Sequence, residues 1–229
     1  MKVGVIHTSS NNAEKLIGIA AERYPDMKVI NFTDEALWEM VLEAGGVMTA
    51  RCKEILAEDF RRLEEAGCES AGLLCSLVKD GMDAVRRSVS IPVAVYDDAA
   101  VRKAVEVSRD GDTVAIIAMK RTPLPIAAAA CEREIAQSGK RVRVEQVVVE
   151  DAAECLRQTG DEEAADACFI RYLVEHQAGY SAYVIPQVPL SRLLPGFGGV
   201  NIPVYDSMGT LLDVLREKAL AARPAEPLQ

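Results

Sequence analysis

The sequence predicts an α/β fold: two pseudo-symmetric Rossmann-like or flavodoxin-like domains whose parallel sheets face a shared cleft. Three observations lead there. Short apolar β-type runs alternate with helix-period segments along the chain, the pattern of parallel strands covered on both faces. A length of 229 residues, 49% of them hydrophobic, is enough for one large core or two smaller ones. The chain also echoes itself. In the first half "ESAGLLCS" is followed, seventeen residues after Cys75, by Pro92 in "IPVAVYDDAAVRKAV". In the second, "SAYVIPQV" is followed, sixteen residues after Gln187, by Pro203 in "IPVYDSMGTLLDVL". Each half runs apolar strand, polar residue, connection, Ile-Pro-Val strand, Tyr-Asp, helix, which reads as a duplicated α/β unit.

In order, "KVGVI" reads as a first strand; it lacks the long apolar region and small-residue cleavage site of a signal peptide. "NAEKLIGIAAERY" follows as a helix, "MKVINF" as a strand, and a long helical stretch covers about 47–66. "AGLLCS" is a buried strand handing over to a loop, then come helix "GMDAVRRSV", strand "IPVAVYD" and helix "AAVRKAVEVS". "TVAIIAM" starts the second unit, and "PIAAAACEREIAQSG" is a helix closed by Gly139. Strand "RVRVEQVVV", helix "DEEAADACFIRYLVEHQAG", strands "AYVIPQV" and "IPVYDS" and terminal helix "MGTLLDVLREKALAAR" complete it. The expected domains are 1–98 with 208–229, and 99–207, the chain crossing near 97–101 and 206–210. The tail "PAEPLQ" is expected to fray.

Composition narrows the function. A net charge of −9 argues against a nucleic-acid surface, which needs a basic stripe. No apolar run approaches the ~18 residues of a membrane span. The six cysteines form no CxxC pair, and His7 and His176 lack metal-ligand spacing to them, so reduced thiols in a cytoplasmic protein without a metal site are expected. "GFGG" lies in a loop and no G-x-G-x-x-G follows a strand, which sets aside a glycine-rich nucleotide site.

Ligands in open parallel sheets bind outside the carboxyl ends of the strands, so the residues there are the candidates. Cys75 and Gln187 hold equivalent places in the echo. Thr8, Ser9, Ser10 and Asn11, between the first strand and its helix, can cradle a carboxylate or cap the helix. His7 reads as a base or as a packed histidine. Asp34, with Glu35, suits either a helix N-terminus or the cleft. Arg121 can pair with a substrate carboxylate, and Thr122 with Pro123 reads equally as a helix start. The other cysteines fall on helices or their ends and read as core.

"GVIHTSSN", "INFTDEAL", "GGVMTARC", "AGCESAGLLCS", "IPVAVYDDA" and "YVIPQVPLSR" together resemble the aspartate/glutamate/hydantoin racemase superfamily, and more narrowly an Asp/Glu racemase branch with Gln in place of the second catalytic cysteine. The resemblance implies two similar α/β domains, an active site between them and no cofactor. It implies a cysteine from each domain on opposite faces of the substrate α-carbon, one removing a proton as thiolate and the other returning one as thiol. Cys75 falls on the first of these. The second has no match: Gln187 stands there, followed by Val188 and Pro189. Glutamine donates and accepts hydrogen bonds but is no Brønsted base near neutral pH. By the same resemblance Thr122 is a carboxylate ligand.

The expected function is therefore cofactor-independent racemase or isomerase chemistry at the α-carbon of a small amino or carboxylic acid. Cys75 is the acid/base or nucleophile. Thr8, Ser9, Ser10, Asn11, Ser76 and Thr122 hold carboxylate oxygens, Gln187 orients the substrate, and a homo-oligomer is allowed. Two alternatives stand beside it: a one-cysteine decarboxylase, and a small-carboxylate-binding protein that has lost catalysis.

Overall fold

In the computed structural model, residues 1–223 are described, apart from the side chain of Asn11. The expectation for the tail 224–229 lies outside the described residues. The chain divides into two compact units: Met1–Tyr96 with the stretch from Leu211 onward, and Asp97–Thr210. Among the described residues each unit holds one four-stranded sheet, and every strand pairing is parallel.

In the first unit the strands are β1 (Lys2–His7), β2 (Lys28–Thr33), β3 (Ser70–Leu73) and β4 (Val93–Val95), in the order β2-β1-β3-β4. The helices are α1 (Ala13–Arg23), α2 (Glu35–Glu43), α3 (Ala50–Glu65) and α4 (Met82–Ser88). Parallel neighbours need crossovers, and helices supply them. Gly4 is paired with Ala71 and Val5 with Gly72, so Gly4 and Gly72 face opposite sides of the sheet. A Cβ on Gly4 would lie 2.7 Å from a Leu63 methyl of α3, and one on Gly72 would lie 2.9 Å from a methyl of Leu211. Helices thus press on both faces, which is why the strands read as nearly continuous apolar runs. Leu211 belongs to α9 (Ser207–Ala222), whose Leu215 carbonyl accepts the buried Ser70 hydroxyl at 2.8 Å.

The second unit repeats the plan with β5 (Thr113–Ala118), β6 (Arg143–Val148), β7 (Ala182–Ile185) and β8 (Val204–Asp206), in the order β6-β5-β7-β8. Its helices are α5 (Tyr96–Val107), α6 (Leu124–Ser138), α7 (Glu150–Thr159) and α8 (Glu162–His176). One face of β5 and β7 (Val114, Ile116, Val184) packs with α5 and α6. The other (Ala115, Ile117, Tyr183, Ile185) packs with α7, α8 and the 3-10 stretch Val188–Gly199. The buried Tyr183 hydroxyl donates to the Leu173 carbonyl at 3.0 Å.

Two helices are added to the expected elements and one expectation is corrected. α2 is not among the elements expected from the sequence; Gly45 and Gly46, with φ values of 70° and 83° that no helix continues through, separate it from α3. α7 is not among the elements expected from the sequence; Ala152 is buried, and Ala153, Cys155 and Leu156 pack on the same core. The Tyr-Asp echo is not structural. Tyr96 and Asp97 open α5, whereas Tyr205 and Asp206 close β8, where Asp206 Oδ1 accepts the Met208 and Gly209 amides. No helix among the described residues is long and apolar enough to cross a membrane.

Candidate active site

In the order β2-β1-β3-β4 the chain leaves β1 in opposite directions, and the crest between β1 and β3 is the topological switch point at which such sheets bind ligands. Two residues meet there. Thr8 is the first residue past β1 and Cys75 the second past β3, and the buried Thr8 hydroxyl donates to Cys75 Sγ at 2.8 Å. The contact joins positions 67 apart in sequence and depends on the register Ile6–Leu73. Cys75 is 8% exposed. The Thr8 hydroxyl is thus a hydrogen-bond donor held on the Cys75 sulfur by a loop that two central strands position.

The other thiols differ in place. Cys52 lies in the first turn of α3, beside its cap Thr49; Cys131 lies in α6, Cys155 in α7 and Cys168 in α8, and Cys68 precedes β3. Burial pushes the Cys68 thiol up and takes Cys131 to about 12, so both stay protonated at neutral pH.

Around the crest the predicted residues separate. The side chain of Ser9 is half-buried and makes no capping bond to the short turn Ser10–Asn12. Ser10 is exposed, and its amide donates to Glu35 Oε1 at 3.1 Å, tying the β1–α1 loop to the first turn of α2. The Asn11 side chain lies outside the described residues. Ser76 is exposed beside Cys75. His7 is 1% exposed and points to the opposite face from Thr8, where its Nε2 meets Asn31 Oδ1 at 2.7 Å. An amide oxygen only accepts, so Nε2 carries the proton, and Nδ1 is left without a partner. Burial lowers the His7 pKa against the opposing pull of Asn31, so the ring is neutral at pH 7.

Asp34 caps α2, its Oδ1 accepting the Leu37 amide at 2.8 Å, while its own amide donates to the His7 carbonyl at 2.9 Å. It also meets a residue that is not among the candidates named from the sequence. Asp59 of α3 is 1% exposed and hydrogen-bonded to the Asp34 carboxyl; its Oδ1 accepts Arg62 at 3.2 Å. Burial, then the Asp34 charge and the bond to it, push the Asp59 carboxyl up to about 7, with Arg62 pulling the other way. A signal was available: Asp59 lies among Leu56, Phe60 and Leu63 on the buried side of α3, an unusual place for a carboxyl.

In the second unit Arg121 is 80% exposed and paired with Glu150 at 2.5 Å, and Thr122 is exposed just before α6. Gln187 lies two residues past β7, as Cys75 lies two past β3, so the two hold the same place in their units. Its Oε1 accepts the amides of both Met119 and Lys120 at 3.1 Å. Among the described residues no group of three or more His, Cys, Asp or Glu gathers as a metal site.

No family model matches the sequence, and no curated protein matches it. Solved structures match the fold over nearly its whole length. An aspartate racemase homologue from Pyrococcus horikoshii has a TM-score of 0.65 at 18% identity, over 96% of this chain and 99% of that one. Unliganded arylmalonate decarboxylase has a TM-score of 0.58 at 13% identity, over 99% and 96%. Glutamate racemase from Aquifex pyrophilus has a TM-score of 0.53 at 17% identity, over 95% and 83%.

Proposed function

From a fold shared with aspartate and glutamate racemases and arylmalonate decarboxylase, we propose that this chain is a cofactor-independent enzyme acting at the α-carbon of a small amino or carboxylic acid, with Cys75 as its acid/base. The observation that carries the reading is the Thr8–Cys75 contact at the switch point: of six cysteines, Cys75 alone follows a central strand there, and its sulfur accepts a hydroxyl hydrogen bond, as Cys52 accepts one from Thr49 at 3.1 Å in the first turn of α3. As thiolate, Cys75 takes the α-proton, and the electron pair passes into the carboxylate-derived enolate. The exposed Ser76 hydroxyl and the half-buried Ser9 hydroxyl, which makes no capping bond, supply donors for that oxygen charge. Proton return from the same sulfur exchanges the hydrogen; return from the other face inverts the centre.

One observation favours a second reading, one-cysteine decarboxylation. Gln187, not a thiol, holds the equivalent place in the second unit, and it cannot take or give a proton at neutral pH. In that reaction the carboxyl–carbon bond breaks, CO2 leaves, the electron pair stays as an enolate, and the Cys75 thiol protonates the carbon. Water then reprotonates the thiolate.

The test is a panel of amino acids, hydantoins and substituted malonates in deuterated buffer, read by NMR. Deuterium at one α-carbon, lost in Cys75→Ser, is the expected result, and loss of CO2 with deuterium uptake assigns the decarboxylase. A blank across the panel, or incorporation that survives Cys75→Ser, removes the proposal and leaves a carboxylate-binding protein.

A further inference from the structure

The second unit repeats the switch point of the first, between β5 and β7, and one side chain already fills it. Two successive amides, Met119 and Lys120, point at a single oxygen, Gln187 Oε1, at 3.1 Å each. Converging backbone N–H groups of this kind form an anion-binding concavity. The oxygen they hold is an uncharged amide oxygen. A carboxylate oxygen in the same place makes a charge-assisted bond, shorter and roughly twice as strong.

The surroundings favour exchange of the occupant. The Gln187 main chain is fixed independently, its carbonyl accepting the Leu190 amide at 2.8 Å, so its side chain can leave without unfolding the turn. Gln187 is half-buried, so solvent and small solutes reach it. Lys120 is exposed. Arg121, next in sequence, pairs with Glu150.

We infer that the Met119–Lys120 amide pair is a carboxylate subsite, and that Gln187 is its internal occupant, displaced when a ligand carboxylate binds. This deepens the reading of the chain as acting on small carboxylic acids by assigning Gln187 to regulation of access rather than to proton transfer. It is measured without turnover, so its failure and the failure of Cys75 chemistry are distinguishable. Apparent affinity falls by the fraction of molecules in which the occupant holds the subsite.

Malonate titrated into the 15N-labelled full chain is the probe. The Met119 and Lys120 amides and the Gln187 side-chain NH2 should move together and saturate. In Gln187→Ala the two amides should saturate at least about tenfold earlier, since the tethered competitor is gone. Gln187→Glu places a tethered carboxylate on the same amides, so they should start at the bound position and ignore malonate. Amides that do not respond to malonate in the wild type, or that respond equally in the wild type and Gln187→Ala, overturn the inference. So does a Gln187→Glu protein that still binds malonate there.

Discussion

At the scale of the residue, the Thr8–Cys75 pair separates what sequence can say from what it cannot. Cys75 was legible because an apolar run breaking at Cys-Ser marks a strand end, and strand ends are where parallel sheets keep their chemistry. Its donor was legible only as a member of a polar loop. Which of four residues in 8–11 turns toward the sulfur depends on the β1–β3 register, a long-range property. His7 shows the same limit: its Nε2 is committed to Asn31, 24 residues away. Thr8→Val tests the pair. Valine keeps the shape and removes the O–H, and a hydrogen bond to a charged group contributes about 1.5–3 kcal/mol. Alkylation of Cys75 should slow by about ten- to a hundredfold, with the fold retained by circular dichroism. An unchanged rate contradicts a functional role for the contact.

At the scale of the element, α2 and α3 meet through the Asp34–Asp59 carboxyls, and this link carries a pH dependence. Folded Asp59 holds its proton up to about 7, whereas an unfolded aspartate loses it near about 3.9. Between those values the native state binds more protons than the unfolded chain, so stability falls as pH rises from about 4 to 7 and is flat above. The difference between the two states corresponds to about 4 kcal/mol across that window. His7, whose pKa is lowered by burial, acts in the opposite direction, with stability gained as pH rises toward 6.5. The difference between wild type and Asp59→Asn isolates Asp59. The amide that replaces the carboxyl is neutral at every pH and donates to the Asp34 carboxylate. The variant should therefore gain stability relative to wild type as pH rises from about 5 to 8, read as urea midpoints. A constant difference between the two proteins over that range excludes a shared proton. Asp59 is hard to single out in sequence because charged residues on helices usually mark solvated faces; only the apolar neighbours on its own helix face mark it as buried.

At the scale of the whole molecule, the alternation of strands and helices made the architecture readable. A parallel strand covered on both faces must be apolar throughout, and its helices must cross over between neighbours. The Ile-Pro-Val echo was readable for a structural reason: Val93 pairs with Ala71 and Val204 with Tyr183 at the same step of each sheet. Beyond that step the echo misleads, since Val95 and Asp206 share a register position and the Tyr-Asp pairs do not. α7 was readable but is missing from the expected elements: Ala152, Ala153, Cys155 and Leu156 fall on one helical face and pack on the same core, in a segment of only ten residues directly after β6. The return of α9 from Leu211 onward to the first unit could be anticipated only by analogy with the helix after the first Ile-Pro-Val strand. What holds it, Ser70 on the Leu215 carbonyl and Asp213 on Arg23 and Tyr24, spans 145 to 190 residues. Whether position at the switch point, rather than exposure, governs thiol chemistry is read across all six cysteines together. Native protein is pulsed with iodoacetamide, quenched and mapped by mass spectrometry, with and without malonate. Exposure alone ranks the half-exposed Cys155 and Cys168 above Cys75, which is 8% exposed. Cys75 should label first, and malonate should slow it; first labelling at Cys155 or Cys168, with Cys75 intact, rules out a reactive thiol at the switch point.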